Sequence, residues 1–321
     1  MKRFLMLALA LCSLMLIPAA KHALAAFPEK PVELMVIFPA GGPTDLDIRI
    51  LAKYAEKYLG QKLVIINVPG GGGIVGWNTV PDKPKDGYFL CNINTPHILS
   101  FPLLSATRFD YSTFEPLIMV SQDPTIFMVR NDSPYKSFQD LVNAAKAKPG
   151  SITVGTAGLN LAHHIAAIQV EQELGVKFTV VPFQGSAGSM AGLLGGQVDL
   201  LSDTLSDYVT KLEGQVRILA VGMGKRTAFA PNAPTFKEVG VQGYIPSSDR
   251  GVAVPAGTNP AVKKILSEAF MKAANDPEYQ ADAKKAGLLI NILTPEQAVE
   301  SFKKEVVSLK TLFDKAGMKK K

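Results

Sequence analysis

Three times along this chain a short apolar run ends in a glycine-bearing loop that opens directly into a helical pattern. The first loop is Phe38-Pro39-Ala40-Gly41-Gly42-Pro43-Thr44-Asp45. The second is Gly155-Thr156-Ala157-Gly158-Leu159-Asn160, and the third is Pro182-Phe183-Gln184-Gly185-Ser186-Ala187-Gly188-Ser189. A strand feeding a helix through a tight turn is the unit of an α/β chain. Ten runs have strand character: Val32–Phe38, Leu63–Asn67, Phe89–Asn94, Pro116–Val120, Thr125–Val129, Ile152–Gly155, Phe178–Val181, Val198–Ser202, Ile218–Gly222 and Gly251–Val254. Most are rich in Val, Ile and Leu without strict alternation, the pattern of sheets covered on both faces. With 47% hydrophobic residues among 321, the chain can bury the large core this demands.

Helical stretches lie between the runs. Thr44 to Leu59 puts Leu51, Tyr54, Ala55 and Tyr58 on one face, and Gly60 closes it. Ser137 with Asp140 predicts a capping box opening Phe138–Lys146, and Thr294 with Gln297 predicts the same for a long C-terminal helix. Two stretches read as crossings between lobes, Ser121-Gln122-Asp123-Pro124 and Tyr244 to Gly251. Two crossings predict a first lobe made from both chain ends (26–122 and 251–321) and an inserted second lobe (123–250), with a ligand cleft between them.

Residues 1–25 read as a secretory signal peptide. Lys2 and Arg3 precede an apolar stretch from Leu5 to Pro18, and Ala23-Leu24-Ala25 forms a cleavage site. An uncleaved anchor is the alternative, although the run is shorter than the roughly 20 residues a span needs. A lipoprotein reading through Cys12 meets a bulky Leu11 where a small residue is wanted. Export predicts a periplasmic protein, and Cys91 alone remains in the mature chain, so no internal disulfide is expected. Without Lys2, Arg3 and Lys21 the chain keeps 31 basic and 28 acidic side chains. Its one basic cluster, Lys319-Lys320-Lys321, reads as a solvated tail, and nothing suggests a nucleic-acid surface.

Gly71, Gly73 and Gly76 fit the dinucleotide pattern G-x-G-x-x-G. The acidic residue expected about 20 positions on is missing from Asn94-Thr95-Pro96-His97-Ile98, so these glycines read as a place of close packing, and no cofactor is expected. His163 and His164 are adjacent and face different sides of a helix, which disfavours a shared metal. Ser186 and Ser189 miss the nucleophile elbow, and Asp45, Asp199 and Asp203 form no evident acid/base pair. No catalytic residue is expected. The three recurrent loops are the stronger signal. Each presents backbone N–H groups and the positive end of a helix dipole, a site suited to a carboxylate.

Further stretches carry a family resemblance: "FPAGGPTD" followed by Arg49, "VPGGGGIVG", "DGYFL", "GTAGLNLAHHIA", "LLGGQVDLL", "VRILAVGMGKR", "APTFKEVG" and "VPAGTNP". In this order they resemble the Bug-type substrate-binding receptors of tripartite tricarboxylate transporters, over nearly all of the mature chain. The resemblance implies a type II periplasmic-binding-protein fold, two Rossmann-like lobes with a hinge and an interlobe cleft. It also implies a monomer without catalysis that captures a small organic carboxylate and passes it to two integral membrane permease subunits. By position, Phe38, Gly41, Gly42, Thr44 and Asp45 would hold one carboxylate. Asn160 and Leu161, with His164 behind them, would hold the far end, while Gln184, Gly185 and Asp203 complete the cleft. Two positions depart from the family's habit. Leu161 replaces a small hydroxyl residue, which suggests an aromatic or branched acid. Asp249 and Arg250 replace an aromatic pair before Gly251, and Arg250 reads either as a cation at the cleft mouth or as half of a surface ion pair with Asp249 or another acid. The alternatives to a transport receptor are a same-fold receptor feeding a sensor protein and an exported enzyme.

Overall fold

The computed structural model describes residues 27–320. The expected signal peptide, residues 1–25, lies outside them. The chain opens with β1 (Val32–Val36), α1 (Pro43–Leu59), β2 (Leu63–Asn67), β3 (Phe89–Thr95), α2 (His97–Leu104) and β4 (Phe114–Gln122). It continues through β5 (Thr125–Arg130), α3 (Phe138–Ala147), β6 (Ile152–Thr156), α4 (Ala162–Leu174), β7 (Phe178–Pro182), α5 (Ser186–Leu194), β8 (Leu200–Thr204) and β9 (Val216–Val221). Last come β10 (Asp249–Pro255), α6 (Pro260–Ala274), α7 (Pro277–Lys285), β11 (Leu289–Leu293) and α8 (Pro295–Lys315).

Two sheets result. One has the order β11-β4-β10-β3-β1-β2, the other β7-β6-β8-β5-β9. In the first, β1 pairs in parallel with β2 and β3, while β10 runs antiparallel between β3 and β4. In the second, β6 pairs in parallel with β7 and β8, and β5 runs antiparallel to β8 and β9. The parallel strands carry the three glycine loops at their C-terminal ends, where α/β sheets bind ligands. Each sheet is covered on both faces. In the first lobe Ile48, Leu51 and Ala55 of α1 pack with Leu266 and Phe270 of α6 on one side. On the other side Trp77, Phe101 of α2 and Phe302 and Leu309 of α8 share a second cluster. Phe127, Phe138, Ala166 and Val170 fill one side of the second sheet, and Met190, Leu193 and Leu212 the other.

All ten predicted strands are present, and both capping boxes form with reciprocal bonds at Ser137/Asp140 and Thr294/Gln297. β11 has no counterpart in the sequence reading. It pairs irregularly with β4, and every one of its five residues is only half-buried, so neither alternation nor a fully buried run marks it. Gly251 sits where β10 and β4 approach closely. A Cβ there would lie 2.3 Å from the carbonyl oxygen of Ile118, which only glycine avoids.

The two crossings run side by side. Pro124 and Ser247 form an antiparallel bridge, and Ser248 N–H donates to Asp123 O at 2.8 Å. The Thr125 hydroxyl donates to Pro246 O at 2.8 Å. Among the described residues no helix is long and apolar enough to cross a membrane, and no group of three or more His, Cys, Asp or Glu side chains could hold a metal ion.

Candidate ligand cleft

A cavity of about 180 Å3 lies where the three loops meet between the lobes. Its lining runs from Phe38 to Thr44, includes Ala157 and Leu161, and takes in Gln184 to Ala187. Three helices begin at its edge: α1 after Gly42, α4 after Leu161 and α5 after Gly185. None of the three has a side-chain cap. At α1 and α5 this leaves N–H groups and the positive dipole ends available to an anion, while the first N–H of α4 already donates to His97.

The loops are held from behind. Asp45 does not line the cavity. Its carboxylate accepts from Gly41 N–H (2.9 Å), Arg49 Nε (2.8 Å) and Asn67 Nδ2 (2.8 Å), and so fixes the first loop. Burial would raise this carboxyl, but those bonds outweigh it and keep it below its ordinary range. Asp203 is likewise a support for the third loop and lies outside the lining. It is fully buried and accepts from the Ser186 and Ser189 hydroxyls, each at 3.0 Å, and from Thr204 N–H at 2.9 Å. Burial pushes it up to about 6 in spite of these donors. His164 Nδ1 accepts from Asn160 N–H at 3.0 Å and steadies a residue with φ of 61°. Asn160 itself faces a neighbouring open depression of about 570 Å3, which shares Phe38, Pro39, Gln184 and Gly185 with the cavity.

Arg250 corrects the sequence reading most. It is neither a cation at the mouth nor half of a surface pair. It is buried in the lining, and its partner is Asp123 rather than Asp249: Nη2 donates to Asp123 Oδ2 at 2.7 Å. Nε donates to the Thr44 hydroxyl at 3.1 Å, and Nη1 lies 3.8 Å from Asp47 without a hydrogen bond. Burial opposes the guanidinium charge, and the facing carboxylates of Asp123 and Asp47 more than offset that. Asp47 is pushed up to about 6 by burial, against the pull of Arg250 and of the Ser121 hydroxyl. Beneath Thr44 a polar ladder crosses the sheet. Asn92 accepts from Ile37 N–H at 2.9 Å and donates to Asn94 at 2.5 Å, and Asn94 donates to Thr44 Oγ1 at 3.3 Å.

Several lining residues were not singled out in the sequence: His97, His163, Ser186, Thr204, Lys211 and Ser248. His97 opens α2 directly after β3, and that placement past a parallel strand's end was the available signal. Its Nε2 accepts from Ala162 N–H of the opposite lobe at 3.2 Å. The Ser100 hydroxyl donates to Asn160 O at 2.8 Å, and Leu161 packs among first-lobe residues including Phe101. A Cβ on Gly72 would come within 2.9 Å of Leu161 and 3.0 Å of Phe101, so the glycine cluster at 70–73 makes room for this contact. Gly73 is as tight against Ile37 and Trp77, consistent with packing as the reason for the fingerprint-like spacing. A larger concavity of about 1030 Å3 opens on the second lobe around Lys136, Arg217 and Phe229, away from all three loops.

A family model described as "Tripartite tricarboxylate transporter family receptor" matches residues 48–317. The chain belongs to this family. A protein of Cupriavidus necator named for the gbd 5' region is 32% identical to this receptor over 92% of this chain and 90% of its own length. The solved periplasmic binding protein BugD is 31% identical with a TM-score of 0.84, covering 92% of this chain and all of its own. The R. palustris protein Rpa4515, solved with adipate, is 27% identical with a TM-score of 0.86 over 92% of this chain and 100% of that one. The receptor is thus a two-lobed solute-binding protein of the Bug and TctC type, with a mixed α/β fold.

Proposed function

We propose that this receptor works in the periplasm, captures a small organic carboxylate in the interlobe cavity, and delivers it to two integral membrane permease subunits. One observation carries the reading. Three helix starts, those of α1 and α5 uncapped, and the buried Arg250 open on a single cavity. Backbone donors of the first loop and Arg250 bind the carboxylate, while Phe38, Pro39, Ala157 and Leu161 surround the carbon skeleton. The adipate found with Rpa4515 supports an acid as the ligand class. The apolar Leu161 favours a branched or aromatic tail over a second carboxylate.

The reading assigns no catalysis. His97 Nε2 is engaged by a backbone N–H, and neither nitrogen of His163 meets a hydroxyl or thiol, so the cavity holds no nucleophile paired with a base. A thermal-shift screen of the mature protein against aliphatic and aromatic acids, with NAD and sugars as controls, tests the proposal. A ligand that binds the folded state alone raises the midpoint by mass action. Stabilisation by acids alone is the expected result. Stabilisation by sugars or NAD and by no acid would remove the carboxylate assignment.

A further inference from the structure

The cavity holds more hydrogen-bonding capacity than one carboxylate uses. Arg250, His97 and His163 all line it, at 1%, 1% and 5% exposure. Each keeps nitrogen without a hydrogen bond: Nη1 of Arg250, Nδ1 of His97, and both ring nitrogens of His163, whose Nε2 lies 3.7 Å from Asp203 Oδ1. A buried polar group left unpaired costs about 1–3 kcal/mol, and folded proteins pair nearly all of theirs. Three such side chains on one cavity mark a place prepared for oxygen atoms of a ligand. The three are close enough to act on one another, since the charges of His163 and Arg250 both bear on His97.

Their polarity is fixed by their surroundings. His97 Nε2 accepts the Ala162 N–H, so its proton sits on Nδ1 and the free nitrogen is a donor. Arg250 Nη1 can only donate. Burial holds both imidazoles neutral, lowering His163 to about 4, so His163 contributes one donor and one acceptor. The set therefore offers donors on three side chains, one acceptor and a single positive charge, the other cation of the lining, Lys211, being paired with Asp207 at 2.7 Å. That charge already faces Asp123 and Asp47, and it suits one carboxylate rather than two. A carboxylate at Arg250 leaves the imidazole pair for a further oxygen nearby. That oxygen accepts from His97 Nδ1–H and meets one nitrogen of His163, from which a ketone oxygen accepts when it carries the proton and to which a hydroxyl donates when it does not. The space is small. At about 180 Å3 it lies below the usual range of ligand pockets, which favours a short skeleton.

We infer that the cavity takes a short 2-oxo or 2-hydroxy monocarboxylic acid with a compact apolar tail, its carboxylate on Arg250 Nη1 and its 2-oxygen between His97 and His163. This rests on the carboxylate-receptor reading and sharpens it. Calorimetric titration of the mature protein with 3-methylbutanoate, 3-methyl-2-oxobutanoate, 2-hydroxy-3-methylbutanoate and succinate tests it. The 2-oxo or the 2-hydroxy acid should bind about tenfold or more tighter than the plain acid. In His163→Leu that preference should shrink to about twofold or less, and His163→Gln, which keeps a donor and an acceptor, should retain about threefold or more. If the leucine variant does not fold, the ligand series on the unaltered protein and the glutamine variant still decide. Equal affinity for plain and 2-oxygenated acids would overturn the inference and leave the carboxylate receptor standing. Tightest binding of succinate would also overturn it. Binding of none of the four, with sugars binding instead, would remove both.

Discussion

At the scale of single residues, Asp47 makes the binding of an acid depend on pH. It is fully buried, faces Arg250 and Asp123 within the first lobe, accepts from Ser121, and adds to the field on Tyr279 of α7. With burial pushing it to about 6, it is ionised at pH 7.5 and competes with an incoming carboxylate for the Arg250 charge. Protonation below about 6 removes that competitor, while a ligand acid with an ordinary carboxyl stays ionised. Both cavity histidines remain neutral through this range, because burial lowers them. Affinity for the acid is therefore expected to rise as pH falls from 7.5 to 5.5. Asp47→Asn should show a weaker pH dependence over that range, the remainder coming from Asp203 and Asp207, which burial also pushes to about 6, and titration calorimetry at several pH values reads both. No local pattern of residues announces this pairing. Asp47 sits in a helical stretch beside Asp45, and only the return of β10 from the far end of the chain sets Arg250 against it.

Among the elements, α8 shows how far local signals reach. Its start is fixed by Thr294, whose hydroxyl accepts from Gln297 N–H, while the Gln297 side chain accepts from Thr294 N–H. Thr294→Ala should lower stability by about 1 kcal/mol, seen as a lower urea midpoint at an unchanged slope. Such caps, the glycine stop after α1 and the ten strand runs were legible because each depends on a few adjacent residues. So were the three loops, since a glycine turn between strand and helix is written in one stretch. The roles within the loops were less legible. Asp45 and Asp203 lie at loop positions that suggest ligand contact, yet both turn inward to tie the loops down. His97 and His163 line the cavity from opposite lobes, and no spacing in the sequence brings residues 66 positions apart to one floor. β11 escaped notice because its partner, β4, lies far back in the chain and its burial is only partial.

For the whole molecule, the pH profile of folding follows from carboxyls held in apolar or crowded surroundings. Glu305 of α8 accepts from the Tyr244 hydroxyl on the returning crossing, and burial with Asp249 nearby pushes it up to about 8. A carboxyl raised in the folded state binds its proton more tightly there than in the unfolded chain. Its stabilising effect is complete below the ordinary value near 4.5 and is lost as pH rises through about 8. The melting temperature is thus expected to fall from pH 7 to about pH 8 and to level off above it, and Glu305→Gln should flatten that decline. Below 6.5 the neutral histidines His97, His163 and His164 act in the opposite sense, losing stability as pH drops toward 4, while Asp47, Asp203, Asp207 and Asp249, each raised to about 6, gain it as they protonate, so the two sets oppose one another there. The contact between lobes bears on loading as well. Leu161 is seated among first-lobe residues, and α4 takes its first acceptor from His97 across the cleft. Exposing that one leucine costs about 1.5–3 kcal/mol. Opening would also hydrate the unpaired nitrogens of Arg250, His97 and His163, which cost about 1–3 kcal/mol apiece when shut, so the empty cavity pulls against that contact. A ligand whose oxygens pair those nitrogens removes that pull, so loading is expected to tighten the seam between the lobes.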